Sequence, residues 1–205
     1  MQKLYLDIET LPADESCFGV LKSIHEKRCR KRKTHQDFER FYLSTSLDGS
    51  FGRILCVAYA SNDQDAAVIY DEEDETVMLA RFWEIAYDHE LFIGHNIMDF
   101  DLRFIYQRSI ILGVEPTKKY LSFARYRNDP IYDTMYEWSK WNMQSKISLD
   151  VLAKALGFPS SKGGEVEGKN VAQAYLDGKI DKICYYCEQD VELTRKIYKR
   201  MIFES

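Results

Sequence analysis

Apolar residues change their spacing several times along the chain, and each change marks an element. In LYLDIE, Leu6 and Ile8 alternate with Asp7 and Glu9, which predicts a first strand over Leu4 to Ile8 with one buried face. Ile54 to Tyr59 and Val68 to Tyr70 are two more short β-branched or aromatic runs, separated by the turn-like SNDQD, and suggest an antiparallel start. From Thr76 to Asp88 the residues Val77, Leu79, Ala80, Phe82, Trp83, Ile85, Ala86 and Tyr87 recur at helical spacing. LFIG, at 91–94, then has the unbroken apolar character of a strand buried on both faces. Phe100 to Leu112 predicts a helix ended by Gly113, and Pro130 to Asp133 a short strand followed by a Thr134-x-x-Glu137 capping box. Ser148 is expected to cap LDVLAKALG, which Gly157 and Pro159 end. Beyond the glycine-rich SSKGGEVEGK lie a short helix near Val171 to Leu176 and a long one from about Lys179 to Met201.

Three strands, then alternating helices and strands, then helices, predict an α/β fold. The expected architecture is a mixed five-stranded sheet, three antiparallel strands followed by two parallel, flanked by helices, of the ribonuclease H-like kind. At 205 residues, with no internal repeat or linker, the chain reads as a single domain over 1–205. A charged stretch at about 15–50 interrupts the hairpin expected between the first two strands and is one insertion, helical or mobile.

Composition narrows the class. With 45% hydrophobic and 30% charged residues, four prolines and ten glycines, the chain is neither disordered nor fibrous and can bury a sizeable core. No apolar run approaches the roughly eighteen residues that span a bilayer, so no membrane role is expected. MQKLYLDIE enters a strand pattern without a signal-peptide core. Cys17, Cys29, Cys56, Cys184 and Cys187 are odd in number and scattered, which fits reduced thiols and a cytoplasmic location. The net charge of -5 argues at face value against holding a polyanion, but the charge is segregated. Seven of the 28 basic residues lie between Lys22 and Lys33 with Glu26 the sole acid, so that segment carries +6 and the remainder -11.

Candidate chemistry sits where acids interrupt the apolar patterns. Strand alternation puts Asp7 and Glu9 on one face, so two carboxylates converge at the end of the first strand. Acids at strand ends are common turn and cap residues, and the pair gains weight only from its company. Asp101 falls in the first turn of the helix after LFIG, where the helix dipole favours a negative group; Asp99 has the same explanation, or is the N-cap. Asp101 is also one turn from Phe104 and Ile105, which draws it toward the sheet, where a carboxylate needs a partner or a metal ion. On the last helix Ile180, Ile183, Cys187, Val191, Thr194, Tyr198 and Met201 form an apolar stripe, with Tyr186 and Asp190, four apart, along one edge.

Other polar groups have plainer readings. Cys184-x-x-Cys187 lacks the two further ligands of a zinc site, and Cys187 belongs to the apolar stripe. His95 reads as an ordinary polar contact, and the acidic run Asp71 to Glu75 as a solvated loop leading into a helix N-terminus. The basic segment at 22–33 is equally a solvated face or an arm that tracks phosphates.

Taken in order, D-x-E (Asp7, Glu9), N-x-x-x-F-D (Asn96, Phe100, Asp101) and Y-x-x-x-D (Tyr186, Asp190) resemble the three-motif signature of the DEDD 3′–5′ exonucleases, in the tyrosine subgroup. More narrowly, HNIMDFDLRFIYQR and YYCEQDVELT resemble the exonuclease domain of family B DNA polymerases and its stand-alone relatives. The resemblance runs from residue 3 to about 200, broken by the insertion.

That resemblance implies a hydrolase with two divalent ions, Mg²⁺ or Mn²⁺, which prefer carboxylate oxygens. Asp7, Glu9 and Asp190 would hold the ion that activates water, and Asp7 and Asp101 the ion near the leaving 3′ oxygen. Tyr186, whose phenol has a reference pKa of about 10, would orient the water rather than act as base. Asn96 and Phe100 would contact the terminal nucleotide, Phe100 by stacking. Leu11 is a candidate wedge, Asp133 an outer-shell group or a helix cap, and Lys31, Arg32 and Lys33 the candidate phosphate contacts of the arm. The expected substrate is the 3′ end of single-stranded DNA, with a DNA polymerase or DNA-repair partner conceivable. An exoribonuclease is the rival within the class, and an inactive ribonuclease H-like module that binds nucleic acid or a polymerase the rival outside it. Two bound divalent ions would bring the net charge of -5 to about -1, so the acidity is partly the expected site itself.

Overall fold

The computed structural model describes residues 1–71, 74–142, 144–159, 166 and 168–204. Its centre is a five-stranded sheet in the order β3-β2-β1-β4-β5, built from β1 (Lys3–Leu11), β2 (Arg53–Ser61), β3 (Ala67–Tyr70), β4 (Leu91–Gly94) and β5 (Ile131–Asp133). β1, β2 and β3 pair antiparallel, and β4 and β5 join β1 in parallel, as the order of elements predicts. Both sheet faces are covered. Leu4, Leu6 and Ile8 pack into a core with Leu79, Phe82 and Trp83 of α3 (Glu75–Ala86) and Leu102, Phe104 and Ile105 of α4 (Asp101–Leu112). Tyr5 and Leu11, on the opposite face, pack with Val171 and Ala174 of α7 (Val171–Leu176) and with Ile183, Cys187 and Val191 of α8 (Ile180–Met201).

Local chemistry sets the element ends. Asp74 caps α3 by accepting from the Thr76 N–H at 2.7 Å, and Gly113, at φ 72°, ends α4 in the left-handed conformation that glycine adopts without penalty. Trp83 Nε1 donates to Ser109 Oγ at 2.9 Å and ties α3 to α4. Ser148 caps α6 (Leu149–Ala155) as expected, accepting from Val151 N–H. Two capping expectations and one of solvation are corrected. The helix α5 (Thr134–Ser139) is capped by Asp133, not Thr134, because the aspartate accepts from both Met135 and Tyr136 N–H; Thr134 turns inward to donate to the Gly94 carbonyl. Asp99 does not cap α4; its carboxylate takes the Tyr136 hydroxyl and ion pairs with Arg103 and Lys146. Glu75, read as solvated, is half-buried in a bidentate pair with Arg108 at 2.8 and 2.9 Å.

The insertion is helical. It contains α1 (Phe18–Arg32) and α2 (Phe38–Leu43), packed together through Leu21, Phe38 and Phe41, and a short 3₁₀ turn over Ser44–Leu47 that returns the chain to β2. Most of the glycine-rich stretch before α7 lies outside the described residues. Among the described residues no helix is long and apolar enough to cross a membrane.

Candidate active site

Asp7 and Glu9 lie on the face of β1 that α8 crosses, opposite Ala58 and Cys56 of β2. β4 pairs with β1 no further than Tyr5, opposite Ile93, so the edge of β1 beyond that point needs another acceptor. Asp101 provides it: its Oδ1 accepts from the Ile8 N–H at 3.0 Å, and the side chain is only 2% exposed. The link between β4 and α4 makes this possible. A Cβ on Gly94 would meet Ile97 Cβ at 2.7 Å, and Asn96 adopts φ 66°, so the chain turns sharply as it leaves the sheet.

Asp133 holds that turn in place. Besides capping α5 it accepts from the Asn96 N–H at 3.0 Å and the Met98 N–H at 3.1 Å. Burial pushes its pKa up to about 6, and the four N–H bonds pull the other way. His95 is an ordinary polar contact: its Nε2 donates to the Ile147 carbonyl at 2.8 Å, and burial lowers its pKa.

From the other side α8 brings Asp190, buried, and Tyr186, whose hydroxyl bonds to Asp190. Burial raises the Tyr186 pKa, and the charges of Asp190, Glu9 and Asp7 raise it further, so the phenol keeps its proton and is a donor. Tyr185, the adjacent residue, is 63% exposed and faces away. Cys187 packs under the strand, its Sγ 3.4 Å from Asp7 Oδ2, and all three of Cys56, Cys184 and Cys187 are buried core thiols.

Three of the four carboxylates are raised, by burial and by their neighbours. Asp7 is held well above the ordinary range by burial and then by Asp101, Asp190 and Glu9. Burial, then Asp190 and Asp101, push Glu9 up to about 8. Asp101 is pushed up to about 7 by burial, against the hydrogen bonds from its own N–H and that of Ile8. Hard oxygen donors that disfavour one another's charge suit a divalent cation, which offsets that repulsion. Among the described residues no three acidic, cysteine or histidine groups are already gathered around one point.

Asp7, Glu9, Asp190 and Phe100 line a cavity of about 660 Å³. Asp101 and Tyr186 are not on its walls, and Tyr186 lies beside Asp190; the Asn96 Oδ1 atom is buried and has no hydrogen-bond partner among the described residues. Leu11 does not reach the cavity: it is 4% exposed under α7 and lines a separate pocket beside Arg53 and Tyr175. Lys31, Arg32 and Lys33 are exposed at the end of α1 and line no wall of the cavity. The insertion contributes instead Glu39, Leu43, Ser46 and Leu47, and α7 contributes Gln173 and Leu176. None of these carries a motif or periodic signal, and their placement depends on how the insertion folds back.

Comparison with known proteins bears on the fold and the family. No curated protein sequence matches the chain. The family B DNA polymerase of the hyperthermophilic archaeon Pyrobaculum calidifontis shares the fold, with a TM-score of 0.68 at 15% identity over 98% of this chain. This chain spans 24% of that polymerase's length. Residues 47–204 match a family described as "Predicted 3'-5' exonuclease related to the exonuclease domain of PolB", a match that starts beyond Asp7 and Glu9. With most of its length matched, the chain belongs to this family of predicted 3′–5′ exonucleases related to the exonuclease domain of PolB.

Proposed function

We propose that the protein removes nucleotides from the 3′ end of single-stranded DNA, and that Asp7, Glu9, Asp101 and Asp190 hold two divalent ions, Mg²⁺ or Mn²⁺, for this reaction. What supports the reading is the convergence of Asp7, Glu9 and Asp190 on one cavity, electrostatically coupled to Asp101 and to a protonated Tyr186. When bound, such ions supply a strong nucleophile at neutral pH and offset charge on the attacking and leaving oxygens.

The chain's own groups do the positioning. Asp7 and Glu9 reach the cavity from the rigid central strand, Asp190 from the long helix, and Asp101 is fixed by its bond to Ile8. Tyr186, a donor with a raised pKa, orients the attacking water rather than taking its proton, the role that the motif of the tyrosine subgroup implies. Phe100, on the cavity wall, stacks on the terminal base. Asn96 offers its buried Oδ1 to that nucleotide. The 1–205 chain acts as one catalytic unit, whose insertion forms part of the mouth, and a polymerase or repair complex is a fitting source of its 3′ ends.

The test is incubation with 5′-labelled single-stranded DNA and RNA and either metal, beside Asp7→Ala and Asp190→Ala. A ladder shortening from the 3′ end is expected, lost in both variants and with EDTA. Cleavage of RNA and not DNA would reassign the sugar. Binding without cleavage under either metal would reduce the protein to a nucleic-acid-binding module.

A further inference from the structure

Away from the carboxylate cavity, three aromatic rings from two segments stand in a row. Tyr136 of α5 stacks on Trp141, with centroids 5.0 Å apart and planes 3° from parallel, and Tyr126 meets Trp141 at 5.3 Å and 45°. The row runs from core to solvent: Tyr136 is 2% exposed, Trp141 half-buried and Tyr126 75% exposed. Tyr126 and Trp141 each sit at φ 63°, and Lys140 at φ 47°, in the left-handed region that residues with side chains occupy at a cost. At the end of α5 that conformation turns the chain back, with the Trp141 N–H donating to the Tyr136 carbonyl at 2.9 Å, and lays the indole on the tyrosine. Packing explains the inner pair. It does not explain the outer ring, which buries little of itself at a strained position.

Cations surround the row. KKYLSFARYR, at 118–127, holds four basic residues, three aromatics and no acid. Leu121 and Phe123 anchor this segment against the core and leave Arg125, Tyr126 and Arg127 exposed. Arg103 and Lys146 approach Asp99 at 3.4 and 3.5 Å, the same carboxylate that takes the Tyr136 hydroxyl. With Lys140, which pairs with Glu137 at 2.7 Å, these five cations exceed the acids among them, Asp99, Asp129 and Glu137, by two. The patch is therefore positive on a chain whose net charge is -5. It is also continuous with the site: Asp99 and Arg103 line a groove of about 280 Å³ whose wall includes Phe100, and Phe100 lines the carboxylate cavity.

We infer that this row is a second contact for single-stranded DNA, remote from the carboxylates: bases upstream of the 3′ end stack on Tyr126, and Arg125 and Arg127 hold their phosphates. The direction of the strand, 3′ end at the carboxylates and 5′ portion on the row, rests on the nuclease reading; the stacking surface does not. An exposed ring between cations fits a single strand, because every base has a π-face and the guanidinium groups meet the backbone charge. A grip away from the reacting end keeps the shortened strand at high local concentration after each cut, so the contact serves successive cleavage of one strand.

The experiment uses Asp190→Asn protein with Mg²⁺ and a single strand of about twelve nucleotides, within the range that single-strand sites cover, carrying one photoreactive 5-iodouracil moved stepwise from the 3′ terminus. Crosslinks to Tyr126 should appear only with the probe upstream of the terminal nucleotide. Followed by anisotropy, Tyr126→Ala should weaken binding about tenfold, the size of one base–aromatic stack, and Tyr126→Phe should keep it. Arg125→Gln together with Arg127→Gln should flatten the slope of log K against log salt by up to about 1.4, two phosphate contacts. The ring is exposed, so its truncation leaves the core intact, which an unchanged Tm checks. Made in the otherwise unsubstituted protein, Tyr126→Ala should shorten each run of cuts when excess unlabelled strand traps released enzyme. Crosslinks absent from Tyr126 or confined to the 3′-terminal probe, or an affinity indifferent to Tyr126 and both arginines, overturn the inference. Hydrolysis is the separate check: Tyr126-dependent binding without cleavage upholds the surface and removes the nuclease reading, whereas cleavage with no Tyr126 effect removes the surface alone.

Discussion

Tyr185 and Tyr186 are adjacent and chemically identical, and burial alone separates them. Tyr186 lies against Asp190 and its raised pKa keeps it a donor, whereas Tyr185 points to solvent. If Tyr186 orients the attacking water, Tyr186→Phe should lower kcat about 10- to 100-fold, the cost of a misplaced reactant, with KM and Tm little changed. Tyr185→Phe should match the unsubstituted enzyme, and equal loss in both variants would remove the orienting role. The faces of Asp7, Glu9, Tyr186 and Asp190 were legible in the sequence from strand alternation and helical spacing, and the family resemblance joined them with Asp101 as one expected site. Leu11 was not, for parity placed it on the face of Asp7 and Glu9, and the packing of α7 over it settles its burial. Asp133 was ambiguous between a cap and an outer-shell group, and the structure shows the cap: one carboxylate serves four N–H groups, two in the turn after β4 and two at the start of α5.

At the scale of elements, α1 is the part that most departs from a compact sheet-and-helix layer. Leu21 is its one buried residue, and its last turn carries Arg30, Lys31 and Arg32. Cations at a helix C-terminus are favoured by the dipole, which gives the cluster a local reason to exist. The phosphate-tracking role makes a different demand, since each single-strand phosphate neutralised adds about 0.7 to the salt slope of binding. Replacing Lys31, Arg32 and Lys33 together with glutamine should therefore flatten the slope of log K against log salt by up to about 2. An unchanged slope would return the segment to a solvated helix end. The sheet order and the order of helices were readable from periodicity, because each element buries a full face. The insertion was not, since a helix that buries one residue leaves almost no periodic signal, and its small core of Leu21, Phe38 and Phe41 comes from two helices that meet only in three dimensions.

For the whole molecule, the site makes stability depend on pH and on metal together. Unfolded carboxylates titrate near pH 4, whereas Glu9 is pushed up to about 8 and Asp101 to about 7, with Asp7 also raised. The folded protein therefore binds more protons than the unfolded chain from about pH 4 to about pH 8, and its stability falls as pH rises through that window. One group titrating fully contributes about 1.4 kcal/mol per pH unit, which is about 3 to 5 °C in Tm for a chain of this size. His95, with its lowered pKa, acts in the opposite sense below about pH 6.5, and the buried thiols, raised by their surroundings, act in the same sense as the carboxylates near pH 8.5, so the difference between the unsubstituted protein and Asp101→Asn is what isolates the carboxylates. In EDTA, Tm should drop from about pH 6.5 to about pH 8.5. A divalent ion competes with those protons and offsets the repulsion they relieve, so Mg²⁺ or Mn²⁺ should raise Tm more at pH 8.5 than at pH 6.5. Asp101→Asn should flatten the EDTA profile and shrink the metal increment, because it removes one of the crowded charges while keeping an oxygen to accept from Ile8. A Tm that ignores pH in EDTA and gains equally from metal at both ends would mean that the carboxylates are not coupled through a shared cation, and the two-ion assignment would fall with it.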